Sequence, residues 1–523
     1  MSLRNRRVLP IILSAFAILS GCSSSSNPAT APPSGKFSNS NLNGSYAFSA
    51  FGTDAVGAPF SLGGSLHANG SGGITGGTVD LNDASLPAPL TSVAITGGSY
   101  TVATDGRGKA TLNAGQASVI LDFVLLNNSH AFVTRYDGNG TGSGTMDIQS
   151  SVTQAQLAGS YAFNLGGIDS NGNSFATVGS FTLDASGNIS SGVEDFDDAG
   201  SASAGLTLSG TVTVGTGTAP GTATLTATNS SNTAPFGALS FDVYPVDATH
   251  FKFVERDTLA LLGGDAFTQK GASLPSSPTV FAFTMVGGVS APLAVGGLMT
   301  LDGVSAVSAG FEDINNSGTV PAASLSFSGS YAPSGSVGGR TVFNLNSFTG
   351  AIQMVAYPTA SAGLQMLEID GGGLLDGVAI AQSTGATLAS SQGYGFGLAA
   401  INIGSFSGAF EEDDIAEFTT ASGGFNGLID VNDQGSLSFD QKLNGSYTLD
   451  SPATGRGILT SNALNGVFYA VDSSTVLFLE TDNIQVGTGS FELQTPGASA
   501  AAAASHPTVL HLTPAGRSAW RRR

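Results

Sequence analysis

One cysteine in 523 residues leaves no partner for a disulfide and no thiolate set for a zinc site. Charge is also thin: Asp, Glu, Lys and Arg make up 10% of the chain, where about 25% is usual. Only 17 residues are basic against 37 acidic. Seven of those bases lie at the ends: Arg4, Arg6 and Arg7 in the leader, and Arg517, Arg521, Arg522 and Arg523 in the tail. The body from Cys22 to Gln494 therefore holds 37 acids and 10 bases, a net of −27. Such a surface repels phosphate backbones, which excludes nucleic acid as a partner. Long hydrophobic runs are missing too. The run from Val8 to Leu19 has 12 residues, short of the roughly 20 that span a bilayer as a helix. No His-x-x-x-His or Gly-x-Ser-x-Gly occurs, and the Gly-rich stretches lack the Lys-Ser/Thr that would complete a phosphate loop.

Glycine is abundant, with 73 copies, and so is phenylalanine, with 31. With 41% hydrophobic residues the chain can build cores. Gly, Asn, Asp and Ser clusters between short apolar runs read as many strands joined by tight turns. The runs repeat. Tyr46-Ala-Phe48, Tyr161-Ala-Phe163, Phe281-Ala-Phe283 and Tyr394-Gly-Phe396 each open a unit, and Gln149, Gln269, Gln382 and Gln494 each close one. Inside the units the same landmarks recur: a Gly-rich second strand (Gly64, Gly179, Gly297) and an Asp-x-[Asn/Asp]-[Asn/Asp] segment. A Gly-Ser-Tyr strand at Tyr100, Tyr331 and Tyr447 then leads to a Gly-Arg turn at Arg107, Arg340 and Arg456.

Each unit holds about eight strands, so the fold expected is all-β, with four tandem domains of antiparallel strands. An up-and-down barrel is preferred over a β-sandwich, because even, short turns suit a meander and closure removes exposed edges. The boundaries expected are a leader at 1–21, a Ser/Pro-rich tether at 22–41, β-domains at 42–150, 157–269, 279–382 and 392–494, and a disordered Ala-rich, basic tail at 495–523.

Leu19-Ser20-Gly21-Cys22, after a basic start and an apolar run, resembles the lipobox of bacterial lipoproteins. The resemblance implies cleavage before Cys22 and acylation of its thiol and amine, and so a bilayer partner. Several acyl chains anchor stably where one does not. Ser23 and Ser24, with no Asp at the second position, are similar to sequences sorted to the outer membrane, on its periplasmic or surface side. The strand order resembles avidin- or lipocalin-type barrels, without their Gly-x-Trp opening. The whole chain resembles Gly/Ser-rich bacterial surface lipoproteins with tandem repeats of roughly 110 residues.

Two constellations invite chemistry. Asp80, Asp83, Asp195, Asp197, Asp198, Asp313, Asp430 and Asp433, in the recurring polar turns, offer hard oxygen ligands for calcium. The same pattern also describes plain turns in which Asx side chains bond backbone amides. Glu255 and Asp257, Glu368 and Asp370, and Glu480 and Asp482 share a strand face, with Arg135 and Asp137 in unit one. They read as an acid and base pair, as partners of the Gly-Arg turn arginines, or as exposed charge. No catalytic residue and no cofactor beyond the lipid on Cys22 is expected. The functional expectation is a membrane-anchored envelope lipoprotein with a non-enzymatic binding, adhesive or structural role, its repeats adding avidity toward an envelope glycan. The alternatives are a carrier of a small apolar ligand in the barrel lumens and, behind it, an envelope hydrolase.

Overall fold

The computed structural model describes residues 37–497 apart from 216–218, 336, 348–349, 405–409 and 452. The leader, the lipobox with Cys22, and the basic end of the tail lie outside the described residues. Four closed antiparallel barrels, each of eight strands in sequence order, occupy residues 43–148, 159–268, 279–381 and 393–493. The up-and-down meander is the one anticipated. Phe37 and the short 3-10 turn Asn39–Asn41, inside the range read as tether, pack onto barrel 1, where Phe37 is buried.

The repeat landmarks find their reasons in the lumen. Phe48 lies opposite Gly64, Phe163 opposite Gly179, and Phe283 opposite Gly297, across the first two strands. Each ring lies flat over its glycine: a Cβ on Gly179 would fall 2.5 Å from the Phe163 ring tip. Stacked and edge-on rings fill the cores, as in Phe163 against Phe181 and Phe396 against Phe478. Barrel 3 is rich in methionine. Its lumen holds Met285, Met299, Met354 and Met366 around a cavity of about 30 Å³, with Glu312 and Ser347 on its wall.

Fifth strands such as Gly221–Thr228 and Thr341–Ser347 alternate between buried and more exposed residues, as a one-sided sheet should. First strands are buried on both faces. In Asn43–Asp54, Tyr46, Phe48 and Ala50 enter the lumen, while Ala47 packs on Tyr244 and Phe51 on Ile168 and Leu261, all of barrel 2. Two-faced burial reflects how the barrels meet. The first three strands of barrel 1 pack on the last three of barrel 2, barrel 2 packs likewise on barrel 3, and barrel 3 on barrel 4. Barrel 4 then packs on the last three strands of barrel 1. The four barrels form a closed ring rather than a string.

Candidate functional site

The recurring polar residues converge on the four seams of this ring. In three barrels the first Asp of the polar segment sits at a β-bulge, where the third strand loses register with the fourth: Asp80, Asp195 and Asp430. A fourth-strand residue with left-handed φ (Ser92, Gly205 or Asp440) turns its N–H back onto that carboxylate. The carboxylate's free edge faces the next barrel.

At the barrel 2/3 seam, Arg340 donates Nε to Asp195 Oδ2 at 2.8 Å and Nη2 to Oδ1 at 2.5 Å, and the Tyr357 hydroxyl joins on Oδ2. At the 3/4 seam, Arg456 grips Asp313 at 2.8 and 2.7 Å, with Tyr469 at 2.6 Å. At the 4/1 seam, Arg107 donates to Asp430 at 2.8 Å and to Asp440 at 2.8 Å. Barrel 1 carries Val124 where the other barrels have this Tyr, and Tyr136 reaches across instead, to the Val431 and Ser438 carbonyls. The 1/2 seam keeps Tyr244 on Asp80 but has no turn arginine. Burial raises the pKa of Asp80 above its ordinary value. That seam has a substitute: Lys252, fully buried, lies 3.0 Å from Asp147 and 3.3 Å from Asp265, and donates to the Thr145 hydroxyl. Burial alone would lower the Lys252 pKa, but Asp265 and Asp147 raise it. Burial would raise Asp147, yet Lys252 and then His130 hold it below the usual carboxylate range.

The closing glutamines act in the same cyclic order. Gln149 donates to the Pro245 carbonyl of barrel 2, Gln269 to Gly338 and Pro358 of barrel 3, and Gln382 to Thr454 and Ala470 of barrel 4. Gln494 donates to Asp105 and Leu125 of barrel 1. The sequence offers these glutamines no partner; their one-per-repeat spacing is the available signal.

The strand-paired acids do not meet the turn arginines, which the Asp-x-Asn segments have taken. Glu255, Glu368 and Glu480 end their strands buried at the 1/2, 2/3 and 3/4 seams. Burial, followed by the adjacent Asp two residues on, pushes Glu368 up to about 8, and Glu255 and Glu480 well above the ordinary range. Burial does the same to Asp376 and Glu417, each up to about 8, and raises Asp414 well above its usual value, with Glu412 and Asp413 adding repulsion. Among the candidate calcium residues, Asp83 caps its own turn through Ser85, while burial lifts Asp198 and Asp433. Among the described residues, no three His, Cys, Asp or Glu side chains converge as a metal group.

The third residue of each polar segment has a distinct task. Asn315 Oδ1 accepts from the Gly318 N–H, and its Nδ2 donates to the carbonyls of Glu480, Asp482 and Gln485 across the seam at 2.7–3.2 Å. Asn432 repeats this with Gly435 and with the Arg135 and Gly140 carbonyls. Asn82 reaches the Glu255 and Asp257 carbonyls. Barrel 2 has Asp197 there. Its Oδ1 accepts from Gly200 N–H at 2.6 Å, and its Oδ2, buried, has no hydrogen-bond partner.

No family model matches the chain, and no curated protein does. Among solved structures, it shows similarity to transferrin binding protein B from Neisseria meningitidis serogroup B, at 9% identity and a TM-score of 0.20, covering 70% of this chain and 84% of that one. Transferrin binding protein B from Haemophilus parasuis matches at 9% identity and a TM-score of 0.21, over 70% and 83%. Kievitone hydratase from Nectria haematococca matches at 10% and 0.16, over 66% and 92%. At these TM-scores the chains do not superpose as wholes, and the likeness carries no argument about fold or activity.

Proposed function

We propose that this protein is an acyl-anchored lipoprotein of the bacterial envelope that holds a rigid ring of four barrels at a membrane surface as a non-enzymatic binding or structural platform. The observation that carries the reading is the fate of its recurring polar residues. The Asp, Arg, Tyr, Asn and Gln landmarks spend their hydrogen bonds on the seams, so repetition here serves assembly. The lipobox residues Leu19 to Cys22 support the anchor, and Ser23 and Ser24 support the outer membrane. The acidic body favours a neutral target, such as an envelope glycan, over anionic headgroups. Two tests separate the parts. Labelled palmitate should enter the wild type and not Cys22→Ser, which should leave the membrane fraction; equal labelling and unchanged fractionation would remove the anchor. The released Cys22→Ser protein should co-sediment with purified cell-wall sacculi in a glycan-competable way, and its absence from the pellet would remove the glycan partner.

A second reading is favoured by one observation, the methionine-lined lumen of barrel 3. The gap there is about 30 Å³, far below the ~300 Å³ of a ligand pocket, so the carrier reading requires the thioether side chains to repack around an apolar guest in that barrel. Quenching of a fluorescent fatty acid by the wild type, lost when Met366 is replaced by Phe, is its test.

A further inference from the structure

The 2/3 seam breaks a rule the other three keep. At those three, an Asn amide fills a pocket of main-chain carbonyls at the end of the neighbouring barrel's seventh strand. Asp197 occupies the same place, since its Oδ1 makes the same bond to the glycine three residues on. The atom turned to the neighbouring hairpin is therefore an oxygen, fully buried and without a partner. That hairpin follows Glu368, the counterpart of Glu255 and Glu480. A bare carboxylate oxygen facing carbonyl oxygens is repelled, and an unpaired buried charge costs several kcal/mol. Three further acids sharpen the conflict. Glu368 feels Asp370 and Asp197, and Asp197 feels Asp198 and Asp370. No Lys, Arg or His forms a salt bridge with Asp197, Glu368 or Asp370 among the described residues, because Arg340 is already committed to Asp195. The turn and hairpin are in close apposition: a Cβ on Gly371 would lie 3.5 Å from the Gly200 carbonyl.

We propose that this seam binds one hard divalent cation, through Asp197 Oδ2, the Glu368 carboxylate and the main-chain carbonyls of Glu368 and Asp370. Mixed carboxylate and carbonyl oxygens in an irregular shell suit calcium better than magnesium, which demands a near-ideal octahedron. The cation supplies the positive charge that the Asn amide supplies as a dipole elsewhere, and it clamps barrel 2 to barrel 3. A weak, extracellular type of affinity is expected, with a dissociation constant of about 10⁻⁴ to 10⁻³ M.

The test is calcium chloride titrated into the EDTA-treated full-length protein, read by calorimetry and by thermal unfolding. The wild type should take up one calcium per chain, and its Tm should rise by about 1–2 °C at ten times the dissociation constant. Asp197→Asn, which restores the residue of the other seams, should lose the calcium response while matching or exceeding the wild-type Tm in EDTA. Glu368→Gln is the second variant should the first fail to fold, and it should weaken calcium binding at least about tenfold. No heat and no Tm change in the wild type would overturn the proposal. So would an Asp197→Asn protein with an unchanged calcium response, or a wild type whose seam responds to pH alone and equally with and without calcium, the signature of a protonated Asp197.

Discussion

Arg107 and Asp430 are 323 positions apart in the chain, yet Arg107 Nη1 lies 2.8 Å from Asp430 Oδ2. This pair belongs to the same series as Arg340 with Asp195 and Arg456 with Asp313, and it closes the ring. Removing one partner of a buried pair leaves the other charge uncompensated, which costs about 3–5 kcal/mol. Arg456→Met should therefore lower stability in that range, whereas the double replacement Arg456→Met with Asp313→Leu should recover much of it. Chemical unfolding followed by circular dichroism measures both, and a single variant as stable as the wild type would remove the seam pair from the stability account.

Ring closure predicts tolerance of new chain ends. A Cβ on Gly106 would fall 2.7 Å from Gln494 Nε2 and 3.0 Å from Phe37 Cδ2, so the two ends of the folded chain meet at one turn. Chains whose termini lie close accept circular permutation. A permutant joined from residue 497 to residue 37 by a short Gly/Ser linker, and opened between Gly385 and Ser390, should keep its circular-dichroism spectrum and a Tm within about 5 °C of the wild type. A collapse of Tm would mean that the covalent order of the barrels, rather than their seams, holds the ring.

The 1/2 seam rests on Lys252 in place of an arginine. Lys252→Met leaves the buried Asp147 without its cation, while the half-buried Asp265 keeps His250 at 2.6 Å, and should cost about 3 kcal/mol. Asp147 also has His130 at 2.6 Å, so protonating that histidine should restore part of the loss. The Tm deficit of the variant should thus shrink from pH 7.5 to about pH 5.5; a deficit independent of pH would exclude His130 as the reserve partner.

The seams also fix how stability varies with pH. Burial raises Glu368, Asp376, Glu417 and Asp122 to about 8, Glu194 to about 7 and Asp242 to about 6, and it raises Glu255, Glu480 and Asp414 well above their ordinary values. Their unfolded values lie near 4. A folded-state pKa above the unfolded one means the native state holds more protons, so this stability is full below about pH 4 and is lost as pH rises through the folded values. Asp147, held low by its partners, works oppositely and loses its contribution as pH falls. In EDTA, Tm should be higher at about pH 5.5 than at about pH 8.5, and a Tm that climbs over this window would show these carboxyls ionised within the fold.

The barrels were legible in the sequence because their causes are local. Tyr46, Phe48 and their repeats mark first strands, and Gly64, Gly179 and Gly297 mark the strand beneath the rings. The Asp-x-Asn segments were legible as turns, but their second task was hidden. Asp195 lies 145 residues before Arg340, in a different repeat, and periodicity cannot distinguish pairing within a unit from pairing with the next. Glu255, Glu368 and Glu480 were misread as free to reach that arginine or water, because the alternation of a strand identifies its outer face and does not say what covers it.

The seam joins two different surfaces, the first three strands of one barrel and the last three of the next, so it is a heterologous, head-to-tail contact. Contacts of that kind either close on themselves or propagate. In this chain four such steps return to the starting barrel, and the fourth step consumes the last free surface. A chain with one barrel deleted would be left with an uncapped donor face and an uncapped acceptor face. Such a protein should grow into filaments by joining molecule to molecule, so the number of repeats sets the boundary between a discrete particle and a polymer.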